Sequence, residues 1–448
     1  MASAAEQLAA NMNFGAFQKA TELHKRIWFT LVAMVIYRLG TYIPIPGINA
    51  AAFAHAFEGQ AKGILGMFNM FSGGAVQRMA IFSLNVMPYI SASIIVQLLG
   101  TTYPPWEKLR KEGGEAGRKQ LNQYTRYLTV LLALFQSFGI GVGLSNSPGI
   151  VDHPGVFFIM STMVTLVGGT MFLMWLGEQM TSRGVGNGIS LIIFAGIVAR
   201  LPVGLWDLLQ EARLDPSKSF MIFGYLLLAV VVVLGIVFME RAQRRLLIVY
   251  PKRQVGNRIM GGENSFLPLK INVSGVIPPI FASSLLLLPA TAMSFLATMK
   301  LPPWAQWLPL VVGQLTHGKP LFMLLYGTLI IFFCFFYTSV VFNPDDTAEN
   351  LRKYGGNLPG IRPGKRTAEY IDYVLTRLTL IGAAYIAVVC LVPEFLAGPN
   401  GSYAFGGTSI LIVVSVTMDT VAQIQSHLLA HQYEGLIKKS KLRGARAR

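Results

Sequence analysis

Long apolar stretches alternate with polar, basic loops along almost the whole chain. A helix needs about 20 predominantly apolar residues to cross a bilayer, and a window of about that length detects such segments. The window predicts ten spans in chain order: 27–42, 80–100, 125–144, 156–177, 188–206, 220–239, 271–298, 320–342, 376–396 and 407–427. The pattern therefore predicts an all-α polytopic membrane protein with ten transmembrane helices.

Basic residues sort between the two sides of these predicted spans. Loops on the side of the N-terminus carry 29 of the 37 Lys and Arg residues and the opposite loops carry 7, while Arg38 lies within the first span. Cytoplasmic loops of membrane proteins hold the excess of Lys and Arg. The split predicts that both termini are cytoplasmic, and its regular alternation supports the count of ten spans.

The composition excludes an ordinary soluble protein. Of the 448 residues, 13% are charged and 53% are hydrophobic, whereas soluble domains carry about 25% charged residues. The net charge of +16 is compatible with nucleic-acid binding, but its placement in alternate loops favours an orientation signal. Cys334 and Cys390 both lie in apolar spans, so they predict neither a disulfide framework nor a metal site.

The ten spans divide into two halves of five, and an odd number of helices gives the halves opposite orientations, as in inverted repeats. The predicted organisation is a cytoplasmic N-terminal segment 1–26, a first half 27–206, a periplasmic hinge connection 207–219, a second half 220–427 and a basic cytoplasmic tail 428–448.

Two cytoplasmic loops, 240–270 and 343–375, are long for loops and combine basic residues with Pro and Gly. They are predicted to be projecting contact arms. Anionic lipid headgroups and RNA phosphates are both chemically reasonable ligands for such basic segments.

The stretch from Gly63 to Gly74 is too short and glycine-rich to span a membrane, yet too apolar for an ordinary solvated loop. It is predicted to be a re-entrant segment shielded by protein or facing a cavity, because exposed backbone groups need partners inside a bilayer. A surface loop at the level of the headgroups is the alternative.

Ionisable groups are scarce in the middles of the spans. Arg38, Glu178, Glu240, Glu394 and Asp419 lie near predicted span ends, where side chains reach water or headgroups. The chain has no Walker A motif, HExxH motif or catalytic-triad spacing, so we expect no enzyme and no cofactor.

Three classes of function stay open, namely a channel, an inverted-repeat secondary transporter and a scaffold for a membrane complex. A transporter usually holds its coupling ion with charged groups near the bilayer midplane. The scarcity of such groups, the re-entrant segment and the basic arms favour a channel.

Eight motifs lie in order from the first spans to the last. They are Met67-Phe-Asn-Met-Phe-Ser-Gly-Gly74, Met87-Pro-Tyr-Ile-Ser-Ala-Ser-Ile94, Gln123-Tyr-Thr-Arg-Tyr127, Gly184-Val-Gly-Asn-Gly-Ile-Ser190, Gly275-Val-Ile-Pro-Pro-Ile-Phe-Ala-Ser283, Phe342-Asn-Pro344, Pro359-Gly-Ile-Arg-Pro-Gly364 and Phe405-Gly-Gly-Thr-Ser409. In sequence and order they closely resemble the bacterial SecY family, the channel subunit of the Sec protein translocase.

The resemblance implies a passive channel of the bacterial inner membrane. Such a channel passes unfolded secretory polypeptides and releases membrane segments laterally, driven by an external motor or by translation. The implied partners are the small membrane subunits SecE and SecG, the SecA motor ATPase, the ribosome, signal sequences, unfolded preproteins and membrane lipids. No small-molecule substrate is implied.

The resemblance also assigns a pore ring of aliphatic side chains: Val86, Ile90, Ile189, Ile193, Ile280 and Ile412. Aliphatic groups offer no hydrogen bond, so a narrow ring of them closes by dewetting and contacts a passing chain without regard to its sequence. Val86 stands where isoleucine is common in the family, which implies a slightly wider ring. Without the resemblance, each of these residues would be interpreted as an ordinary packing or lipid-facing residue.

Three further groups follow from the resemblance. The plug is the segment 63–80 and includes Phe68, Phe71, Gly73, Gly74 and Arg78.

A lateral gate lies between spans two and three on one side and spans seven and eight on the other. It includes the polar residues Ser91, Gln97, Asn272 and Ser284, which simple helix packing would also explain. Docking of the motor or ribosome is assigned to Lys252, Arg253, Arg258 and Arg362, and Asn257 and Arg258 replace a basic pair often found in the family.

Overall fold

The computed structural model describes residues 21–60, 69–111, 113–146, 149–214, 216–250, 253–255, 258–260, 264–296, 314, 319–397 and 406–446. Within some helices and strands, including 253–255, 258–260, 287–296 and 431–446, only the backbone is described. The predicted plug residue Phe68 and the predicted docking residue Lys252 lie outside the described residues.

The first half of the chain is built from helices. They are α1 (Thr21–Gly40), α2 (Ala50–Gln60), α3 (Met87–Thr102), α4 (Pro104–Lys111), α5 (Gly114–Ser145), α6 (Val156–Arg183) and α7 (Gly188–Leu214).

The second half adds a small amount of β-structure to its helices. In chain order it contains α8 (Pro216–Arg241), β1 (Gln243–Val249), β2 (Arg253–Val255), β3 (Arg258–Met260), β4 (Asn264–Lys270), α9 (Ile277–Leu296), α10 (Pro320–Val341), α11 (Pro344–Lys353), α12 (Lys365–Ala397) and α13 (Gly407–Arg446).

A helix overlaps each of the ten predicted spans, namely α1, α3, α5, α6, α7, α8, α9, α10, α12 and α13. Within the described residues, seven of them contain a stretch long and apolar enough to cross a membrane, and α3 and the described start of α9 are shorter apolar helices. The exposed surface supports this assignment. On α8, for example, Phe220, Phe223, Leu227 and Leu234 recur at helical spacing and are all more than half exposed, which suits lipid rather than water.

Local signals in the sequence fix several helix boundaries. Pro88 occupies the first turn of α3, and Pro320 begins α10, because the ring of proline suits the first turn, where the missing N–H is not needed. Asn343 caps α11 by accepting a hydrogen bond from the backbone N–H of Asp345.

The two halves repeat one order of neighbours. In the first half α3 packs on α5, α5 on α6, α6 on α7, and α7 on α1. In the second half α9 packs on α10, α10 on α12, α12 on α13, and α13 on α8. Five helices of one half therefore correspond one by one to five of the other, as expected for a duplicated inverted architecture.

The halves meet along two seams. On one side α9 packs against α3 and α5, and on the other side α7 packs against α8 and α13. The helices α3, α7, α9 and α13 therefore surround the interior, and each contributes buried side chains to the main hydrophobic cluster of the protein.

Both predicted arms have more regular structure than the sequence indicated. The first is a β-ribbon in which β1 pairs antiparallel with β4, and β2 with β3 near the tip. In the second arm α11 is followed by a turn, and α12 begins at Lys365, well before the predicted span start at 376.

The arms are joined at the end of the β1–β4 ladder that is farthest from α8. Val249 and Asn357 exchange two backbone hydrogen bonds of 2.9 and 3.0 Å. Beneath them, Leu246 and Leu269 of the ribbon pack in one cluster with Leu358 and Ile371 of the second arm. The arms therefore form one unit rather than two independent tethers.

The predicted connection at 207–219 is mostly helical. Helix α7 continues to Leu214, and α8 begins at Pro216. The predicted fifth span ends at 206, just before Asp207, Glu211 and Arg213 interrupt the apolar run, but charged residues are compatible with a helix that leaves the hydrocarbon layer.

Candidate functional site

The six predicted ring residues lie in one apolar cluster. Val86 directly precedes α3 and Ile90 lies in its first turn, Ile189 and Ile193 belong to α7, Ile280 to α9 and Ile412 to α13. Five of them are buried, and Ile189 is partly buried against the same cluster. Because α3 contacts α9 and α7 contacts α13, the structure assembles these aliphatic groups from both halves at the centre of the protein.

Ile189 differs from the other five. A Cβ placed on Gly177 of α6 would lie 3.0 Å from its Cγ1, and 3.4 Å from Cδ1 of Ile192. Ile189 therefore packs partly against α6, although it is less buried than its neighbours. Ile192, one residue before the ring residue Ile193, is completely buried and also packs toward α6.

The described part of the predicted plug is 69–80, and the turns that begin at 72 continue beyond it to 86. This segment of turns is buried along most of its length. Gly73 and Gly74 have φ angles of +65° and +89°, which side chains with a Cβ rarely adopt. Inside the segment, Ser83 Oγ donates to the backbone oxygens of Ala75 and Ala80. These contacts give the segment a defined compact conformation.

Two helices hold this segment against the interior. Tyr37 of α1 donates its hydroxyl hydrogen bond to the backbone oxygen of Ser72 (3.3 Å), and Arg38 Nη1 donates to that of Gly73 (2.6 Å). On α7, Gly196 lies so close that an added Cβ would be 2.5 Å from the oxygen of Phe71. The segment therefore packs directly on the backbone of α7.

Asn85 fastens the end of the same segment. Its Nδ2 donates a 2.7 Å hydrogen bond to the oxygen of Phe71, and its φ angle is +49°. Asparagine adopts this left-handed conformation more readily than most residues. The bond closes the segment into a loop that leads directly into Val86 of the ring.

The motif Gly184–Ser190 positions the ring-bearing start of α7. Asn187 caps the helix by accepting from the N–H groups of Ile189 and Ser190. Gly186 N–H donates to Gln423 of α13 (2.8 Å), and Val185 N–H donates to Thr30 of α1 (3.1 Å). The turn therefore ties α7 to both neighbouring helices.

One of the predicted gate residues contacts the opposite half of the protein, and a second is buried. Ser284 of α9 approaches Met87 of α3, with 3.7 Å between Oγ and Sδ, and also donates to the oxygen of Ile280. Ser91 of α3 is buried. A side chain of α9 therefore contacts α3 directly at the junction of the two halves.

The other two gate residues have different surroundings. Gln97 Nε2 donates to Ser93 Oγ on its own helix (3.1 Å), and its Oε1 is buried with no hydrogen-bond partner among the described residues. Asn272 precedes α9 and donates to Glu240 of α8 (2.6 Å) while accepting from Ser274 and Gly275. The contacts of Asn272 thus lie at the base of the first arm.

Gln97→Leu should stabilise the closed seam, because leucine removes a buried acceptor that has no partner while keeping the volume similar. We expect that signal sequences then need to be more hydrophobic to start export. The measurement is export of a reporter with a graded series of signal sequences. Asn272→Leu provides the contrast, since loss of its bond to Glu240 should lower stability by about 1.5–3 kcal/mol. An unchanged threshold in Gln97→Leu would contradict the seam assignment.

The predicted docking residues lie in the two joined arms. The backbones of Arg253 and Arg258 belong to the paired strands β2 and β3 near the ribbon tip. Arg362 is exposed on the loop before α12, between Gly360 and Gly364, both with positive φ angles. Beside it, Leu358 and Ile361 anchor this loop in the cluster beneath the arms.

Sequence reasoning missed the residues that receive the plug. Tyr37, Gly196 and Asn85 all contact it, yet each is unremarkable in its own span. A partial signal was available for Gly196, because it lies one helical turn after Ile193 and therefore on the same side of α7.

This geometry defines a class of protein. Two corresponding sets of helices enclose one apolar cluster, a buried segment lies against it, and a seam runs between the sets. These are the features of a polytopic helical membrane protein.

The SecY family profile matches residues 80–421. The protein translocase subunit SecY of Rickettsia bellii is 50% identical over 97% of this chain and 100% of its own length. The SecY of Escherichia coli strain K12 is 51% identical over 94% of this chain and 96% of its own length. The chain belongs to the SecY family, and the family predicted from its motifs is confirmed.

Solved structures show the same fold. A protein-conducting channel matches with a TM-score of 0.68 and 18% identity, covering 91% of this chain and 93% of that chain. Sec61 from a canine ribosome–channel complex of the endoplasmic reticulum matches with a TM-score of 0.65 over the same shares. The predicted polytopic helical fold is therefore confirmed, with the β-ribbon of the first arm as an addition.

Proposed function

We propose that this protein is the protein-conducting channel of a translocase, passing unfolded polypeptides across the membrane and releasing apolar segments sideways through the α3–α9 seam. The observation that carries the proposal is the predicted plug, whose described part is buried against α1 and α7 and continues in turns to the first residue of the predicted ring. Membership of a family whose relatives are translocase subunits supports it.

The constriction suits a passage that does not select by sequence. Its side chains are aliphatic and buried, so they repel water when the passage is empty and form no specific hydrogen bond with a passing chain. The energy for movement has to come from outside the channel, from a motor ATPase such as SecA or from translation.

The partners follow from the same proposal. Two of the solved channels with this fold come from ribosome complexes, and we propose that the joined arms dock the ribosome or the motor. SecE and SecG are the proposed small membrane subunits. The proposed location is the bacterial inner membrane with both termini cytoplasmic, in keeping with the 29 to 7 division of basic residues between loops.

Reconstitution tests the function directly. Vesicles that contain the full chain with SecE and SecG, together with SecA and ATP, should protect an unfolded preprotein from external protease. Protection should disappear when the signal sequence is removed or ATP is omitted. Protection that persists without a signal sequence would contradict the proposal. Absence of protection when the channel subunits and the motor are present and folded would also contradict it.

Arg362→Glu should nearly abolish motor-driven import into such vesicles while changing thermal stability by less than about 0.5 kcal/mol. Arg362 is exposed, and its hydrogen bond among the described residues uses the backbone oxygen, so its guanidinium can meet a partner. Arg213→Glu is a matched control, since Arg213 is also exposed but lies in the last turn of α7. Equal loss of import in both variants would argue against docking at the arm.

A further inference from the structure

Three arginines from three different elements converge beside the plug. Arg38 of α1 donates to the oxygen of Gly73 (2.6 Å). A Cβ placed on the next residue, Gly74, would lie 3.7 Å from Nη1 of Arg78 and 4.0 Å from Nη1 of Arg200 on α7. We name Arg38, Arg78 and Arg200 the arginine cluster.

The arginine cluster is poor in compensating negative charge. No salt bridge joins any of its members to a carboxylate within the described residues. Asp207, later on α7, is an acid close enough to act on Arg200. Nη1 of Arg78 is buried with no hydrogen-bond partner in the part of the chain that the structure describes. Three cations held together in this way favour an anion among them.

One face of α1 leads from the membrane to the arginine cluster. Trp28, Leu31, Val35 and Leu39 follow one another at helical spacing and are 65, 47, 58 and 64% exposed. The stripe ends at Tyr42, and the guanidinium of Arg78 lies 4.0 Å from the centre of its ring, with that of Arg38 at 4.9 Å. An acyl chain lying along this stripe would bring its headgroup to the arginines.

We propose that the arginine cluster binds the phosphate of an anionic phospholipid in the leaflet on the plug side, with an acyl chain along α1. Guanidinium groups bind phosphate through short, charge-assisted hydrogen bonds. Since Arg78 belongs to the plug and the other two arginines to α1 and α7, the bound phosphate ties the closed plug to both helices. The effect of the phosphate on the plug rests on the proposed function, whereas lipid binding does not.

Native mass spectrometry of the full chain with its partner subunits tests the binding. Retained phosphatidylglycerol is counted during a titration for the wild type, Arg78→Gln, Arg200→Gln and the control Arg213→Gln, with melting temperatures measured to verify folding. We expect about tenfold weaker binding in the two cluster variants and no change in the control. Equal binding in all four proteins would overturn the proposal.

Two further measurements identify the source of the phosphate. Phosphatidylcholine, which carries a phosphate but no net charge, should bind more weakly than phosphatidylglycerol. Inorganic phosphate should not displace the lipid at equal concentration; displacement of that kind would show a free-phosphate site and overturn the lipid assignment.

The effect on the plug has its own readout. Ion leak through wild-type channels should be lower in vesicles containing phosphatidylglycerol than in pure phosphatidylcholine, and Arg78→Gln should remove the difference. Lipid binding without any difference in leak would overturn the plug consequence alone. Import of a preprotein by the wild type, measured separately, shows whether the proposed function itself holds.

Discussion

Gly196→Ala should open a steady ion leak by displacing the plug. The new Cβ would lie 2.5 Å from the oxygen of Phe71 and 3.0 Å from the hydroxyl of Tyr37, distances that force the segment to move. Alanine is otherwise the better helix former by about 0.5–1 kcal/mol, so a leak cannot be attributed to a weaker α7. We expect ion current in planar bilayers to rise about tenfold or more at equal protein density.

Gly168→Ala is the matched control. Gly168 also lies within a long helix, α6, but a Cβ there meets nothing within 4 Å. This variant should keep the seal and melt at the same temperature as the wild type or slightly higher. A leak of equal size in both alanine variants would contradict the idea that the plug rests on Gly196.

Ile193→Asn and Ile280→Asn should each let water persist in the constriction, because dewetting depends on an unbroken apolar wall. Both residues are buried in the main cluster. We expect a steady current about tenfold or more above the wild type in planar bilayers, and a larger one in the double variant. Burial of the amide also lowers stability by about 1–3 kcal/mol, so folding has to be verified by protease resistance.

Ile192→Asn controls for that loss of stability. Ile192 is as buried as its neighbour Ile193, but it packs toward Gly177 of α6. The substitution should destabilise the protein by a similar amount and change conductance little. Equal leak in all three variants would indicate general loosening, and no leak at positions 193 and 280 would place the seal in the plug.

The spans were predictable because a helix that crosses a bilayer must be long and apolar, and such a helix is visible in the sequence as a continuous run of apolar residues. Boundaries were less certain. The predicted second span began at 80, because Ala80, Ile81 and Phe82 continue its apolar run. The structure starts α3 at Met87 instead, since the preceding residues form turns that end in Asn85 with a positive φ angle.

Contacts between distant segments were beyond the sequence pattern. The β-ribbon of the first arm depends on pairing β1 with β4 across 14 intervening residues, and Pro268 and the short strands weaken its alternation. The contacts that hold the plug join Tyr37, Ser72 and Gly196, and no local pattern predicts that these three segments meet. The ring was assigned only through resemblance to the family, because a buried isoleucine alone is typical of any core.

Cross-linking through the ring tests the central claim most directly. Single cysteines at Ile193 and Ile280 are compared with one at Val231, which is 57% exposed on the outer face of α8, in a background with Cys334 and Cys390 replaced by serine. A preprotein with a cysteine in its mature part is stalled halfway by a folded C-terminal domain and then oxidised. Disulfides should form at both ring positions, only with ATP and the motor present, and not at Val231. Disulfides at Val231 with none at the ring would contradict a passage through the centre of the protein.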